Sequence, residues 1–153
     1  MMFPDIAIVR TSFKSRSQFE IGSLAEQADS EEHILRLMDK KIDIHKSAGV
    51  LIKDRKFLIT RSKGKTFFIA PGGKVEVNET VQAALARELK EELSINVGIS
   101  NLSPFGTFFA LAAGHEDKYL QMDVFLVKSW EGEITPASEV EEIKWINSDL
   151  PVD

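Results

Sequence analysis

The stretch from Pro71 to Ile95, PGGKVEVNETVQAALARELKEELSI, constrains the fold more than any other part of the chain. It begins with a proline and two glycines, which favour a tight backbone path, and continues into a helical pattern. Thr80 suits the start of that helix because its hydroxyl can accept a hydrogen bond from an amide of the first turn. We therefore predict a loop followed by a helix from Thr80 to Leu93.

The polar and apolar faces of this helix overlap. Four apolar side chains share a face that we expect to be buried: Val81, Ala84, Leu85 and Leu89. Glu88, Glu91 and Glu92 share a neighbouring face at spacings of three and four. Each like-charge pair is unfavourable by about 0.2–0.5 kcal/mol, and the negative end of the helix dipole adds about 0.3–1 kcal/mol per charge. A bound cation would reverse both effects.

The pattern leaves the source of the compensating charge open. One alternative is an ordinary solvated face that binds nothing. Arg87 and Lys90 project away from the three glutamates, so we expect the neutralising charge to come from outside the helix. Clustered carboxylates suit Mg²⁺ or Mn²⁺, which bind through a few carboxylates together with substrate phosphates.

The spacing of these residues resembles the Nudix box of the Nudix (MutT-like) hydrolase family. The matching positions are Gly73, then Glu79 after five residues, then Arg87-Glu88-Leu89-Lys90-Glu91-Glu92-Leu93 after seven more, and Ile95. Ser94 stands where the family has a glycine that ends the helix in a left-handed turn. The motif is long and far more specific than a short glycine pattern.

Length and composition describe one globular domain. The chain has 153 residues, of which 43% are hydrophobic, and this is enough for a proper core. The net charge of −5 disfavours stable nucleic-acid binding and anionic membranes, and the lack of cysteine excludes disulfides and thiolate chemistry. No apolar run reaches membrane-spanning length, and the start MMFPDIAIVR lacks the apolar core of a signal peptide. We expect a soluble cytoplasmic protein.

Residues 1–43 form an N-terminal extension ahead of the predicted Nudix domain, residues 44–153. We predict a short strand from Ile6 to Val9 and a helix from Asp29 to Lys40. We expect this extension to be a packing element or a homodimer contact without chemistry, and His33 to be structural or exposed. The family usually has a second long helix after its last strand, so the resemblance implies that the N-terminal helix or a second subunit covers that face.

The remaining pattern predicts an α/β sandwich, with a mixed sheet flanked by helices and the box at its centre. The predicted strands are His45–Ile52, Phe57–Arg61, Asn96–Ile99, Phe105–Ala113, Tyr119–Val127 and Val140–Ile146. The predicted turns and loops are Lys53–Arg55, Pro71–Gly73, Gly114–Lys118 and Ser129–Ser138.

The resemblance implies hydrolysis of a phosphoanhydride bond, in a nucleoside diphosphate linked to another group, by water and a divalent metal. The implied ligands of Mg²⁺ or Mn²⁺ are the Gly72 carbonyl, Glu88, Glu91, Glu92 and a glutamate ahead of Trp145. Register on that tryptophan points to Glu139, with Glu142 as the alternative.

The same resemblance assigns roles within the box. Glu91 is expected to be the most essential ligand, and Glu88 alternatively acts as the general base or positions it. Arg87 and Glu79 are expected to form an ion pair that holds the loop against the helix.

Basic and aromatic residues around the box are candidates for substrate contacts. Arg61, Lys63 and Lys65 precede it, and the guanidinium of Arg61 suits bidentate contact with phosphate. The alternative for these residues is a solvated loop. Phe68, with Phe67 or Phe109 as alternatives, is a candidate for stacking a base, unless these rings belong to the core. His115 and Glu116 are candidate acid/base or substrate residues, unless they are simply solvated.

The sequence does not name the substrate. Residues 110–112 are Ala-Leu-Ala, where ADP-ribose hydrolases of the family carry proline and dinucleoside polyphosphate hydrolases carry tyrosine. A nucleoside triphosphate or modified nucleotide is therefore expected by elimination. A non-catalytic module that senses a nucleotide is the alternative, which the intact glutamates disfavour. A structural metal domain is a further alternative, which leaves the basic run ahead of the box unused.

Overall fold

The structure, a computed structural model, describes residues 9–10, 41–112 and 115–147. Its strands are β1 (Val9–Arg10), β2 (Ile44–Lys53), β3 (Lys56–Ser62), β4 (Gly72–Lys74), β5 (Leu102–Ala112), β6 (His115–Val127) and β7 (Val140–Asn147). These described ranges also contain one α-helix, α1 (Val81–Leu93), and a short 3₁₀ helix (Ile99–Asn101). Neither has the length and apolar character needed to cross a membrane. The predicted helix Asp29–Lys40 and most of the predicted strand Ile6–Val9 lie outside the described residues.

The strands form a seven-stranded sheet in the order β1-β5-β6-β2-β3-β7, with β4 paired to β2. Strands β2 and β3 form the predicted hairpin, and its turn residues Asp54 and Arg55 have φ values of +51° and +60°. Two successive positive φ angles are typical of a type I′ turn, whose twist matches that of a hairpin. Strand β3 also pairs antiparallel with β7, with a register shift between Arg61 and Ser62.

The chain divides into two compact units. The described residues of the first are 9–10, 41–45, 106–112 and 115–122. Within it Val9 pairs with Phe109. Asp43 and Tyr119 exchange two hydrogen bonds of 3.0 Å, one between main-chain groups and one from the Tyr119 N–H to the Asp43 carboxylate.

The second unit contains the described residues 46–105 and 123–147, and it includes the whole Pro71–Ile95 stretch. Its core consists of the buried residues Leu51, Leu58, Leu85, Leu89, Leu93, Ile95, Val97, Leu102, Phe125 and Val127. Burying each such side chain contributes about 1.5–3 kcal/mol, so α1 is held mainly by its apolar face. That face is the predicted one, with Ala84 fully buried and Val81 partly buried.

Two segments outside the Pro71–Ile95 stretch differ from the sequence prediction. The predicted strand Asn96–Ile99 is wrong: Asn96 makes an isolated bridge to Glu131, and a 3₁₀ helix begins at Ile99. The predicted loop Gly114–Lys118 is too long, because β6 already begins at His115. Short apolar runs do not identify a strand unless a partner strand is available for pairing, and pairing is a tertiary property. The side chains of His115 and Glu116 lie outside the described part of the chain.

Candidate active site

Helix α1 begins and ends where the sequence predicts. The Thr80 hydroxyl accepts a hydrogen bond from the Ala83 N–H at 3.1 Å, and the last helical residue is Leu93. Ser94 follows with φ +61°, and its N–H donates to the Lys90 carbonyl at 3.1 Å. The serine therefore adopts the left-handed conformation that glycine usually supplies at this position.

The two glycines ahead of the helix belong to β4, so the predicted turn at Pro71–Gly73 is wrong for them. In the antiparallel pairing of β4 with β2, Gly72 lies opposite Ala48 and Gly73 opposite Ser47. Gly72 has φ +143°, and a Cβ there would overlap the Ser47 carbonyl. A Cβ on Gly73 would overlap the carboxylate of Glu88. Because Gly72 and Gly73 have no side chains, β2 and Glu88 can both lie close to this short stretch of backbone.

Glu92 is the buried acid of the site, with an exposed fraction of 4%. Its Oε2 accepts a hydrogen bond from the Gly72 N–H at 3.0 Å. Burial raises the pKa of Glu92 to about 7; the charges of Glu88 and Glu139 act in the same direction, whereas the Gly72 N–H and Lys46 oppose the shift. Two further carboxylates therefore lie within electrostatic range of Glu92.

Arg87 connects the loop, the helix and the acidic group. Its Nε and Nη2 donate to the two carboxylate oxygens of Glu79 at 2.9 and 3.0 Å, and Nη2 also donates to the Lys74 carbonyl at 3.0 Å. Its Nη1 lies 2.8 Å from Glu88 Oε1 and 3.5 Å from Glu91 Oε2. The Arg87 guanidinium is the main cause of a lowered pKa at Glu79. The structure thus contains the ion pair expected between Arg87 and Glu79.

The expectation that Arg87 projects away from all three glutamates is wrong. Neighbouring residues start about 100° apart around a helix, but the arginine side chain is long and its planar fork presents several N–H groups. It therefore reaches Glu88 while keeping both contacts with Glu79. Arg87 therefore supplies part of the positive charge that was expected to come from outside the helix.

Glu88 and Glu91 differ in exposure. The exposed side-chain fraction is 14% for Glu88 and 53% for Glu91. Glu91, Arg87 and Trp130 line a surface cleft of about 700 Å³, whereas Glu88 and Glu92 do not line it. Glu88 and Glu92 therefore lie beside β4, and Glu91 is the solvent-exposed member of the three glutamates.

Glu139 and Glu142, the two candidates for the glutamate ahead of Trp145, have different surroundings in the structure. Oε2 of Glu142 accepts from Arg61 Nη2 at 2.8 Å and Nε at 3.2 Å, and its Oε1 lies 3.4 Å from Lys144 Nζ. The Arg61 contact is the main cause of a lowered pKa at Glu142. Glu139, in contrast, acts electrostatically on Glu92. Of the two glutamates, Glu139 is therefore better placed to form one site with Glu92.

Two of the basic residues predicted to bind phosphate make contacts within the protein. Nη1 of Arg61 donates to Glu141 Oε2 at 2.7 Å and to the Lys65 carbonyl at 3.2 Å. Nζ of Lys63 donates to the Ser138 carbonyl at 3.0 Å. Lys65 itself is exposed. Arg61 and Lys63 therefore connect the end of β3 to the start of β7, and the sequence pattern did not predict this connection.

The ring of Phe68 lies next to two cations. Lys144 Nζ is 4.3 Å and Arg61 Cζ is 5.8 Å from the ring centroid, distances that allow cation–π attraction. Sequence reasoning missed Lys144. Strand alternation was the available signal, because Lys144 and Glu142 are two residues apart and so share one face of β7.

Lys46 was also missed. Its charge acts on Glu92, and it lies in β2 opposite Lys74 of β4. No local signal connects Lys46 to the box, since the contact depends on the pairing of two strands. Ser47, its neighbour, is fully buried and its hydroxyl donates to the Val81 carbonyl at 2.8 Å, which ties β2 to the first residue of α1.

The chemistry of the donor set fits a hard divalent cation. The Glu88 and Glu92 carboxylates lie beside Gly73 and Gly72, and the charge of Glu139 acts on Glu92. Mg²⁺ and Mn²⁺ prefer carboxylate oxygens as ligands. A nearby cation would also favour the ionised form of Glu92. Within the described residues no three His, Asp or Glu side chains are already grouped as metal ligands. Because Arg87 holds Glu88 and the Gly72 N–H holds Glu92, these side chains would have to adjust to bind a metal ion.

Comparisons with known proteins agree with the resemblance seen in the box. The NUDIX domain family model matches residues 43–151. The 8-oxo-dGTP diphosphatase of Proteus vulgaris is 36% identical over 104 residues, which are 65% of this chain and 88% of that protein. The ADP-ribose pyrophosphatase of Methanocaldococcus jannaschii is 40% identical over 57 residues, which are 35% of this chain and 34% of that protein.

Solved structures show the same fold. The MutT NUDIX hydrolase of Burkholderia pseudomallei has a TM-score of 0.62 at 23% identity, over 72% of this chain and 88% of that chain. The predicted α/β sandwich with a mixed sheet is therefore confirmed. Because the family model covers more than half of the chain and the box is intact except at Ser94, the chain belongs to the Nudix family and is a MutT-like hydrolase of pyrophosphate bonds.

Proposed function

We propose that the protein hydrolyses a phosphoanhydride bond in a nucleoside diphosphate linked to another group, in a reaction that depends on Mg²⁺ or Mn²⁺. The observation that carries the proposal is the buried Glu92, which lies near Gly72 and within range of the charges of Glu88 and Glu139. Arg87 neutralises part of this negative charge through Glu88, and a bound divalent cation would neutralise more of it.

The proposed substrate class is a nucleoside triphosphate or a modified nucleotide. Support comes from the Proteus vulgaris relative, which is named an 8-oxo-dGTP diphosphatase and is matched over 88% of its length. The relative named for ADP-ribose is matched over only 34% of its length. ADP-ribose is therefore the second class to test.

We assign the metal ligands to the Gly72 carbonyl, Glu88, Glu91, Glu92 and Glu139. A divalent cation held there offsets negative charge on phosphate oxygens and makes water a better nucleophile. Alternatively, Glu88 acts as the general base, or positions it, instead of binding the metal. In that case the proton taken from water goes to Oε2, since Arg87 engages Oε1. The contacts of Arg87 with Glu79 and Lys74 keep the Glu88 carboxylate beside Gly73.

We assign substrate contacts to Arg61 near the end of β3, to Lys63 and Lys65 in the loop that follows, and to Phe68. In the substrate-free protein the Lys63 Nζ donates instead to the Ser138 carbonyl. Lys65 is exposed and needs no rearrangement to meet a phosphate. A phosphate would compete with Glu141 and Glu142 for the guanidinium of Arg61. Replacing Lys65 by Met should therefore raise the KM for nucleotide with little change in kcat.

The activity is tested by turnover of nucleoside triphosphates, oxidised nucleotides, ADP-ribose, nucleotide sugars and dinucleoside polyphosphates, with Mg²⁺, with Mn²⁺ and with EDTA. Coupling to a pyrophosphatase and a phosphatase distinguishes the products. We expect one class to turn over far faster than the rest and EDTA to abolish the reaction. Nucleotide binding without any turnover would overturn the proposal in favour of a sensing module.

The ligand assignment is tested by replacing Glu91 with Gln, which keeps the shape of the side chain and removes its charge. Glu133→Gln is the matched control, because Glu133 is also exposed but precedes β7 in a loop outside the acidic group. We expect a loss of at least tenfold in kcat/KM for Glu91→Gln at low Mg²⁺, as metal-site changes commonly give. Full activity of Glu91→Gln under these conditions would remove Glu91 from the ligand set.

A further inference from the structure

We propose that Lys63 is a positioning residue that holds Glu139 beside Glu92, so that the site binds its metal. The inference rests on the proposed function. Lys63 directly follows β3, and Glu139 directly precedes β7. The main-chain N–H of Lys63 donates to the Glu139 carbonyl at 2.8 Å, and its Nζ donates to the Ser138 carbonyl at 3.0 Å. One residue therefore holds two successive carbonyls of the segment that carries the ligand.

The held segment is a tight turn tied to α1. The Val140 N–H donates to the Ala137 carbonyl at 3.0 Å and closes the turn, and the Ala137 N–H donates to the Glu92 carbonyl at 2.9 Å. Ser138, within the turn, has φ +54°. A residue with a side chain stays in this conformation only where the surrounding contacts hold it. The Lys63 ammonium makes one of those contacts.

The neighbouring strand pair supports the same role. Arg61 lies opposite Glu142 and Ser62 opposite Val140, so Glu141 is the extra residue of a bulge. Bulges beside functional sites redirect side chains. Arg61 binds the carboxylates of both Glu141 and Glu142 and so stabilises this bulge. Lys63 then holds the next part of the chain, where the charge of Glu139 acts on Glu92.

The sign of the effect separates positioning from simple electrostatics. Loss of the Lys63 ammonium makes the surroundings more negative, which by itself strengthens the binding of a cation. Loss of a contact that orients a ligand weakens it. Weaker metal binding by a Lys63→Met variant would therefore show that Lys63 positions a ligand.

The experiment measures Mn²⁺ binding to the substrate-free protein from the electron paramagnetic resonance signal of free Mn²⁺. The variants are Lys63→Met, Lys63→Arg, Glu139→Gln and the double variant Lys63→Met/Glu139→Gln. Lys56→Met is the matched control, because Lys56 is an exposed lysine at the other end of β3. We expect about tenfold weaker binding for Lys63→Met, wild-type binding for the control and partial recovery for Lys63→Arg. The double variant should bind no more weakly than Glu139→Gln alone, since Lys63 acts through Glu139.

Three results would overturn the proposal: unchanged or tighter binding by Lys63→Met, additive losses in the double variant, or no loss in Glu139→Gln. If Lys63→Met does not fold, Lys63→Met/Ser138→Gly is measured in its place, because glycine accepts a positive φ without strain. It should bind Mn²⁺ more weakly than Ser138→Gly alone, and equal binding would overturn the proposal. Turnover by the wild-type protein is measured separately. If the variants bind Mn²⁺ with the predicted affinities but the wild-type protein hydrolyses nothing, the proposed function is contradicted and the role of Lys63 is not.

Discussion

The carboxylate of Glu88 lies so close to the Cα of Gly73 that a Cβ on the glycine would occupy the same space. Gly73→Ala should therefore displace Glu88, weaken Mn²⁺ binding and lower kcat, each by about tenfold. We expect a stability loss of about 1–3 kcal/mol from the overlap. Mn²⁺ titration and steady-state kinetics measure the first two quantities, and urea unfolding measures the third.

Gly98→Ala is the matched control for that substitution. Gly98 has φ −72°, which alanine adopts readily, and a Cβ there would have its nearest neighbour at 3.5 Å. This variant should keep metal binding and activity. If Gly73→Ala behaved like Gly98→Ala, the position of the Glu88 carboxylate would have no catalytic importance.

Glu92 should make the metal-free protein less stable as the pH rises. Its pKa in the folded protein is about 7, above the ordinary value of 4.5, so the folded state binds the proton more tightly than the unfolded chain does. The stabilisation is complete below pH 4.5 and is lost as the pH rises through about 7. The size of the loss is about 3 kcal/mol. Urea unfolding in EDTA, between about pH 5 and 8.5, measures this loss.

The Glu92→Gln variant is the control for the pH dependence. Glutamine keeps an oxygen that can accept from the Gly72 N–H but does not titrate, so the decrease between about pH 5 and 8 should be absent. Glu79 and Glu142 have lowered pKa values and affect stability at more acidic pH, outside this window. A wild-type protein and a Glu92→Gln variant with the same pH dependence would contradict the prediction.

Replacement of Ser94 by glycine should stabilise the protein. Ser94 has φ +61° at the end of α1, and a residue with a side chain is strained there whereas glycine is not. After allowing for the greater freedom of glycine in the unfolded chain, we expect a gain of roughly 0.5–1 kcal/mol, seen as a higher urea midpoint at unchanged m. Ser100→Gly, in the 3₁₀ helix Ile99–Asn101, should have the opposite sign. A destabilised Ser94→Gly variant would show that the serine side chain has a stabilising role of its own.

Arg61→Met should raise the pKa of Glu142. The contact with Arg61 is the largest cause of the lowered pKa, and the contact with Lys144, at 3.4 Å, is weaker. Carboxyl ¹³C NMR titration of Glu142 measures the change, and Lys144→Met should give a smaller shift in the same direction. An unchanged titration of Glu142 in Arg61→Met would mean that the pair does not persist in solution.

Features that depend on a few neighbouring residues could be predicted from the sequence. The Thr80 cap, the buried face of α1 and the turn at Asp54–Arg55 all follow from local hydrogen bonding, side-chain periodicity and backbone preference. The resemblance to the Nudix box also implied the pairing of Arg87 with Glu79, which lie eight residues apart. Each of these interactions acts within a short stretch of chain.

Features that depend on pairing between distant segments could not be predicted. Gly72–Lys74 forms a strand because β2 lies beside it, and Asn96 forms only a bridge because Glu131 is its one partner within the described residues. The contacts of Arg61 with Glu141 and Glu142, and of Lys63 with Ser138, follow from the register of β3 and β7, and the sequence did not predict them.

The sequence by itself determined the family, the helix that carries the glutamates and the acidic character of the site, because the box fixes residue type and spacing along one helix. Only the tertiary structure decided which carboxylate is buried, which late glutamate acts on it and what the basic residues hold. Burial and charge proximity depend on which strands pair and in what register, and a one-residue shift in register would bring different side chains together.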